Sequence, residues 1–287
     1  MEENNEINFL ELVELLWAEK KKIIFSSLFL ALLLFLYSIF LPDIFISESK
    51  LNVVKDDMSK QLEASNLGIF SVFQQNQSQR GFIEDHIESR DFFKRVSENT
   101  NIVILLLGIE NIDGKDEQQI KNILYSQSIK EKYDQQISSL DFLNIHALFK
   151  STFEVDNANG PFTIRSKHTN PVLTKVFIEL LVNETNSYFK LKDDKESKDA
   201  IKFISEELPK NKVIDIQMTL SSVLSAKLRT LVLSNIKTDY ILEYIDSPFI
   251  PSSPSLPSKR NYFLSGMILG FIFSVFWVLT RKYLIKN

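Results

Sequence analysis

The sequence predicts an α+β protein held in a membrane by two spans, one near each end, with a long helix in the domain between them. Three observations carry that fold class. Residues 23–41 and 262–280 are each nineteen residues without a charge, and nineteen helical residues cover roughly 28 Å, close to the hydrocarbon thickness of a bilayer. Asn170-Pro171 opens a helical pattern that runs to Leu208. Short runs of alternating apolar residues lie on both sides of that pattern, and alternation is the two-residue period of strands.

Composition narrows the function. The stretch 42–261 is long enough for one domain with its own core. A formal charge of -4, with Lys and Arg dispersed, provides no basic face, so nucleic acid is not an expected partner. The chain has no cysteine, which removes disulfides, thiol catalysis and thiolate metal sites. His86, His146 and His168 share no ligand spacing, so neither a metal nor any other cofactor is expected, and each ring is expected to be solvated or paired locally.

From the amino end, residues 1–22 begin acidic and become amphipathic: Leu10, Val13 and Trp17 recur at helical spacing while Glu11 and Glu14 keep the other side polar. That is the pattern of a short helix lying at a membrane interface. Trp17 and Lys20-Lys21-Lys22 stand where an aromatic anchor and cytoplasmic charge belong, ahead of the first span at 23–41. A cleaved signal peptide would open short and basic and leave through small residues, whereas this segment leaves through Leu41-Pro42-Asp43. The span is expected to stay as an anchor. Three lysines precede it and none follows until Lys50, so the amino terminus is expected to be cytoplasmic, with 42–261 exported and the tail 281–287 back inside.

In the exported part, Ile44–Val54 reads as a strand with Phe45, Leu51 and Val53 on one face. Residues 74–79, rich in Gln and Asn, read as an exposed loop. Arg80–Glu98 carries the helical stripe Ile83, Ile87, Arg90, Phe93 and Val96, Asp113-Gly114 marks a turn, and Lys115–Leu143 predicts a helical pair. Phe149, Ser151, Phe153 and Val155 alternate, 157–160 turns the chain, and Phe162 and Ile164 alternate again, which predicts a β-hairpin.

Asn170 is the expected cap and Pro171 the expected first residue of the long helix, about 171–208, a rod of roughly 55 Å. Leu173, Phe177, Leu181, Tyr188 and Leu191 form its apolar stripe. The charged run Lys192–Asp199 predicts a part that stands away from any core. Pro209 ends the helix, and a second one from about Lys212 to Asn235, with Leu220, Leu224, Leu228 and Leu231 on one face, would return as an α-hairpin. Tyr240–Ile245 is apolar on both faces and reads as a central strand.

Pro248, Pro251, Pro254 and Pro257 then repeat at a spacing of three, one turn of polyproline II, so 247–258 predicts a stiff stalk before the second span at 262–280. The plainer alternative is that the prolines end the strand and block edge pairing. Inside the second span Gly266, Gly270 and Ser274 repeat at four, a ridge of small side chains that lets another helix approach. Its expected partner is either a copy of the protein or the first span.

Catalytic patterns are not found. Gly108–Lys115 is near a phosphate-binding loop, but five residues separate the glycines and Asp116 stands where a hydroxyl is needed. Carboxylates are plentiful, yet none is singled out by an apolar setting. The expectation is a protein that is not an enzyme. A two-span periplasmic sensor or binding protein shares the topology, but segments of 22 and 7 residues would leave no room for a cytoplasmic output.

Glu6-Ile7-Asn8-Phe9-Leu10-Glu11-Leu12 through Leu16-Trp17 and the lysines resembles the start of the bacterial polysaccharide co-polymerases, the Wzz-type chain length determinants. So does the far end: Leu228-Arg229-Thr230-Leu231-Val232-Leu233, Asp239-Tyr240, Ile245-Asp246-Ser247-Pro248, the proline repeat into Ser258-Lys259, and the glycines of the last span. The resemblance covers both ends and the order of elements between them, and the middle only by composition. It implies an inner-membrane protein with a membrane-proximal α/β base and a long helix reaching into the periplasm. It further implies a homo-oligomeric ring that sets the length of O-antigen in lipopolysaccharide, or of capsule or another exported polysaccharide. Its implied partners are a membrane O-antigen polymerase, lipid-linked glycan and membrane lipids. No catalytic residue is implied, and the short tail after the second span sets the chain apart from the kinase-linked branch.

Overall fold

The computed structural model describes residues 9–54, 79–157, 160–210 and 213–283. Two compact units divide the chain, Met1–Phe45 with Ser253–Asn287, and Ile46–Ser252.

The first unit holds α1 (Phe9–Ala18), α2 (Lys20–Ile39) and α11 (Lys259–Tyr283). α2 and α11 are both long and apolar enough to cross a membrane. Glu19 separates α1 from α2 and holds Lys22 in an ion pair at 2.7 Å. Ile44 forms an antiparallel bridge with Leu256: its N–H donates to the Leu256 carbonyl at 2.8 Å, and its own carbonyl accepts from Ser255 and Leu256.

The second unit is built on a four-stranded sheet in the order β2-β3-β1-β4, from β1 (Phe45–Val53), β2 (Phe153–Asp156), β3 (Phe162–His168) and β4 (Leu242–Asp246). β1 buries Ser47, Ser49, Leu51 and Val53, all on one side of the pleat. Glu48 of β1, Arg165 and Lys167 of β3 and Glu154 of β2 form an ion-pair ladder across the strands; Arg165 donates to Glu48 at 2.8 Å and Lys167 to Glu154 at 2.7 Å. β2 and β3 pair antiparallel, with Phe153 opposite Ser166 and Asp156 opposite Thr163. The hairpin expected here is present, but its first arm is shorter: Phe149 and Ser151 belong to α8 (Phe142–Thr152), and the alternation begins at Phe153. The reason is packing, since Ile145 and Phe149 bury one helical turn apart.

Between β1 and β2 come α3 (Gln79–Glu88), α4 (Arg90–Asn99), α5 (Ile102–Leu106), α6 (Glu117–Leu124), α7 (Gln127–Ser138) and α8. The stripe expected over Arg80–Glu98 is therefore two helices. Ser89 breaks it: its backbone is extended and its hydroxyl accepts from the Phe92 N–H at 3.1 Å, capping α4. Arg90, read as part of the stripe, is exposed. The Asp113-Gly114 turn stands as expected, with Gly114 at φ 72°. Lys115–Leu143 contains α6, α7 and the start of α8, a richer arrangement than a pair. Of the loop expected at 74–79, residues 74–78 lie outside the described residues and Gln79 begins α3.

α9 (Pro171–Glu207) is the long helix. Asn170 caps it, accepting from Val172 N–H at 2.9 Å and Leu173 N–H at 3.3 Å, and Pro171 fills the first helical position. Its first half buries Leu173, Val176, Phe177, Leu180 and Leu181 in the core shared with Leu51, Ile164 and Leu242 of the sheet. A turn at Leu208–Lys210 follows, then α10 (Ile214–Ile236), packed back along α9 as an α-hairpin. The charged run of α9 lies outside the core, with Lys192, Lys195, Glu196, Lys198 and Asp199 exposed, but two of its residues are covered. Asp193 is 9% exposed and Ser197 is fully buried.

β4 corrects a second reading, because it pairs only with β1 among the described residues and so lies at the sheet's edge. Its outer Ile245 is 62% exposed. The apolar residues that suggested two covered faces, Tyr240 and Ile241, lie before the strand and are buried against α9 instead.

Candidate functional site

The small residues singled out in the second span face the first one. Gly266, Gly270 and Ser274 of α11 are buried, and so are Ile23, Ser27 and Ala31 of α2. A Cβ added to Gly266 would sit 2.6 Å from the Ala31 Cα, and one added to Gly270 2.7 Å from the Ser27 Cα. Two backbones therefore touch where glycine supplies no side chain, the geometry that small residues allow in membrane helices. Ser27 Oγ donates to the Met267 carbonyl across this contact at 2.7 Å, and Ser274 Oγ donates within its own helix to Gly270 O at 2.6 Å. Phe35–Phe263 and Tyr37–Tyr262 ring pairs, each with centroids 6.5 Å apart, continue the contact toward the Ile39 end of α2.

Of the two partners expected for the ridge, the first span is the one packed on it within a single chain. Ser27 and Ala31 were missed in the sequence, although their spacing of four matches that of Gly266 and Gly270. Serine and alanine are common enough that the signal shows only beside its partner. The outward faces of both helices, including Phe25, Phe29 and Phe273, remain exposed.

The proline segment departs from a uniform polyproline II rod. That conformation has no internal hydrogen bonds and a constant turn, whereas here Ser252 and Ser253 are bends and Leu256-Pro257 is cis. Pro248 and Pro251 are buried, Pro254 is exposed and Pro257 is half-buried, so the four rings do not share one environment. In the Ile46–Ser252 unit the chain after β4 follows β1: Ser49 Oγ donates to Asp246 O and Ser47 Oγ to Phe249 O, both at 2.7 Å. In the other unit the Ile44–Leu256 bridge holds the segment's far end. The sequence reading overlooked these partners because they are more than 190 residues away.

The core of the larger unit contains a polar knot rather than a catalytic cluster. Asn186 of α9 donates from Nδ2 to the Leu242 carbonyl at 2.9 Å, and its Oδ1 accepts from Ile241 N–H at 2.9 Å and Leu242 N–H at 2.8 Å. Two turns on, Asp193 accepts from the Tyr240 hydroxyl at 2.6 Å. Burial, then that hydrogen bond and the Asp193 charge, push the Tyr240 hydroxyl's pKa well above the ordinary range. Both links join α9 to the approach of β4.

The three histidines are apart. His168 Nδ1 accepts from the Asn170 N–H at 2.9 Å, and His146 Nε2 lies 3.1 Å from the Glu88 carbonyl. His86 stacks on Tyr188 with ring centroids 4.1 Å apart and meets Phe92 and Phe189 edge-on. Burial, with the positive charges of Arg95 and Lys192, lowers its pKa from 6.5 to about 4, so the ring is neutral at neutral pH. Gly108 and Gly114 both have positive φ and end local turns; no phosphate cradle forms from them, since Asp116 instead caps α6 by accepting from Gln119 N–H at 2.8 Å.

The chain thus offers a packed pair of helices long and apolar enough to cross a membrane, a small sheet and a long hairpin. Residues 5–100 match the family model of the Wzz chain length determinant protein. The matched segment includes α1, α2, β1, α3 and α4, and so spans the first helix long and apolar enough to cross a membrane and the entry to the sheet. No curated protein sequence matches the chain. Among solved structures, a full-length bacterial polysaccharide co-polymerase aligns over 98% of this chain and 99% of its own, at 13% identity and a TM-score of 0.39.

Proposed function

We propose that the protein regulates the chain length of O-antigen as a homo-oligomeric scaffold, working with the membrane glycan polymerase that extends lipid-linked O-antigen. The observation that carries this reading is the Wzz match over 5–100, which falls on α1 and α2. In this reading both termini are cytoplasmic and the Ile46–Ser252 unit is periplasmic, a sidedness supported by Lys20, Lys21 and Lys22 ahead of the first span. Regulation is by geometry: each copy is held by the α2–α11 contact and its flanking proline segment, and copies meet through the hairpin. Support for copies meeting comes from α10, where Met218, Leu228 and Val232 are exposed on one side of the helix, apolar surface that favours a second apolar surface in water. No residue acts as acid, base or nucleophile in this reading.

Deleting the gene and separating the cell's lipopolysaccharide on a gel tests it. The expected result is loss of the preferred O-antigen length with shorter, broadly distributed chains, restored by the intact gene. An unchanged ladder overturns the O-antigen assignment. A changed size of capsule or another exported polymer in the same cells would move the role to that polysaccharide. Reporter fusions after Ser47 and after Asn287 check the sidedness, and an exported carboxyl terminus overturns the topology.

A further inference from the structure

In the membrane-helix unit, α1, α2 and α11 enclose an open groove of about 630 Å³. Val13 and Trp17 of α1, Ile24 and Leu28 of α2, and Ile268 and Phe271 of α11 make its walls apolar. Among the described residues, Ser27 and Lys20 are the polar side chains that line it. Ser27 has its hydroxyl committed to Met267 O, which leaves Lys20, whose ammonium lies 4.4 Å from the centroid of the Trp17 ring. Among the described residues no Asp or Glu lines the groove, and the neighbouring Glu19 is occupied by Lys22 at 2.7 Å. An occupant must therefore be apolar along its length, because water has nothing to bond to on these walls. It must also be anionic at the end that meets Lys20.

We infer that the groove seats one acyl chain of an anionic phospholipid, with the headgroup phosphate at Lys20 and the first methylenes against the Trp17 ring. The inference rests on α2 and α11 crossing a bilayer. Aromatic and lysine side chains paired at such a depth anchor a helix at the headgroup boundary, and a lysine near an anionic surface favours such lipids by about 1 kcal/mol. Lipid of this class would hold α1 against the pair, making the interfacial helix part of the same rigid body.

The test uses the full chain in nanodiscs. Trp277→Phe leaves Trp17 as the sole tryptophan, since the chain has two. Into neutral phosphatidylcholine discs a minor fraction of phosphatidylglycerol brominated on its tails is introduced, or the same fraction of tail-brominated phosphatidylcholine. Quenching of Trp17 should be up to about fivefold stronger with the anionic lipid, the ratio that about 1 kcal/mol gives. Lys20→Gln should abolish that preference, while Lys21→Gln, which removes the same charge from outside the groove, should keep it. Ile24→Phe fills the groove from an exposed position and should lower quenching by the anionic lipid with the charges intact. Equal quenching by the two lipids overturns the inference. So does equal loss in Lys20→Gln and Lys21→Gln, which would mean diffuse surface attraction. A chain that never enters the disc overturns the membrane reading itself, a result distinct from entry without lipid preference.

Discussion

Asn186 offers the sharpest test of how the long helix holds the sheet. It is 5% exposed and satisfies three backbone groups, the N–H of Ile241, the N–H of Leu242 and the Leu242 carbonyl. Asn186→Ala removes all three partners at once. A buried backbone group left without a partner costs about 1–3 kcal/mol; β4 is an edge strand and water reaches it more easily than the centre of a sheet, so about 3 kcal/mol in total is expected. By the same arithmetic the amides of Ile241 and Leu242 should exchange about 100-fold faster than in the unaltered protein. Asn186→Asp keeps an acceptor for both N–H groups and loses only the donor to Leu242 O, so the Ile241 and Leu242 amides should stay better protected in Asn186→Asp than in Asn186→Ala. Hydrogen exchange of the detergent-solubilised chain, read by mass spectrometry over 238–246, measures this directly. A change of less than about threefold in Asn186→Ala would refute the idea that the knot, rather than apolar packing alone, fixes β4 against α9.

The remaining predictions concern pH, the membrane pair and the helix cap. His86 has its folded pKa lowered to about 4 from 6.5, so its contribution to stability is complete above about pH 6.5 and falls away as the pH drops toward 4, where only the unfolded chain gains a proton. The full gap would be worth about 3 kcal/mol, but the ring is not wholly removed from solvent, so about 1–2 kcal/mol is expected from the difference between the protein and His86→Phe in denaturation at pH 7 and pH 4.5; parallel pH profiles would contradict the assignment. Gly270→Leu should force α11 off Ser27, at a cost of about 1–3 kcal/mol. The chain has no cysteine, so a Phe35→Cys, Phe263→Cys pair reports cleanly, and its disulfide yield should fall several-fold when Gly270→Leu is added; an undiminished yield would show that the pair does not depend on the glycine contact. Asn170→Ala removes the cap of α9 and should cost about 1 kcal/mol in thermal unfolding, while Asn170→Ser should recover most of it.

Local signals accounted for the features whose causes are local. A charge-free span of nineteen residues is long enough for a membrane helix whatever surrounds it, and Asn170-Pro171 starts a helix because the cap and the fixed φ act on the next turn alone. Gly114 turns the chain at positive φ for the same kind of reason. The ridge of Gly266, Gly270 and Ser274 was readable as a face, since spacing of four is a property of one helix. What it packs against was not, because a face does not name its partner.

Tertiary structure decided the rest, and in each case through groups distant in sequence. Ser89 reads as one polar position in a stripe until its hydroxyl takes the Phe92 N–H and splits the helix. Ser151 alternates with Phe153 in the sequence, yet the turn before β2 stays helical because Ile145 and Phe149 gain more by burying together than a strand would by continuing. The charged run of α9 is mostly exposed, as its composition predicts, but Asp193 within it is covered because Tyr240, 47 residues on, supplies it with a hydrogen bond. The prolines restrict the φ of their own residues, and that much is written in the sequence. The course of the segment between them depends on Ser47, Ser49 and Ile44, whose hydrogen bonds reach across about 200 residues and exist only once β1 and the chain after β4 lie side by side.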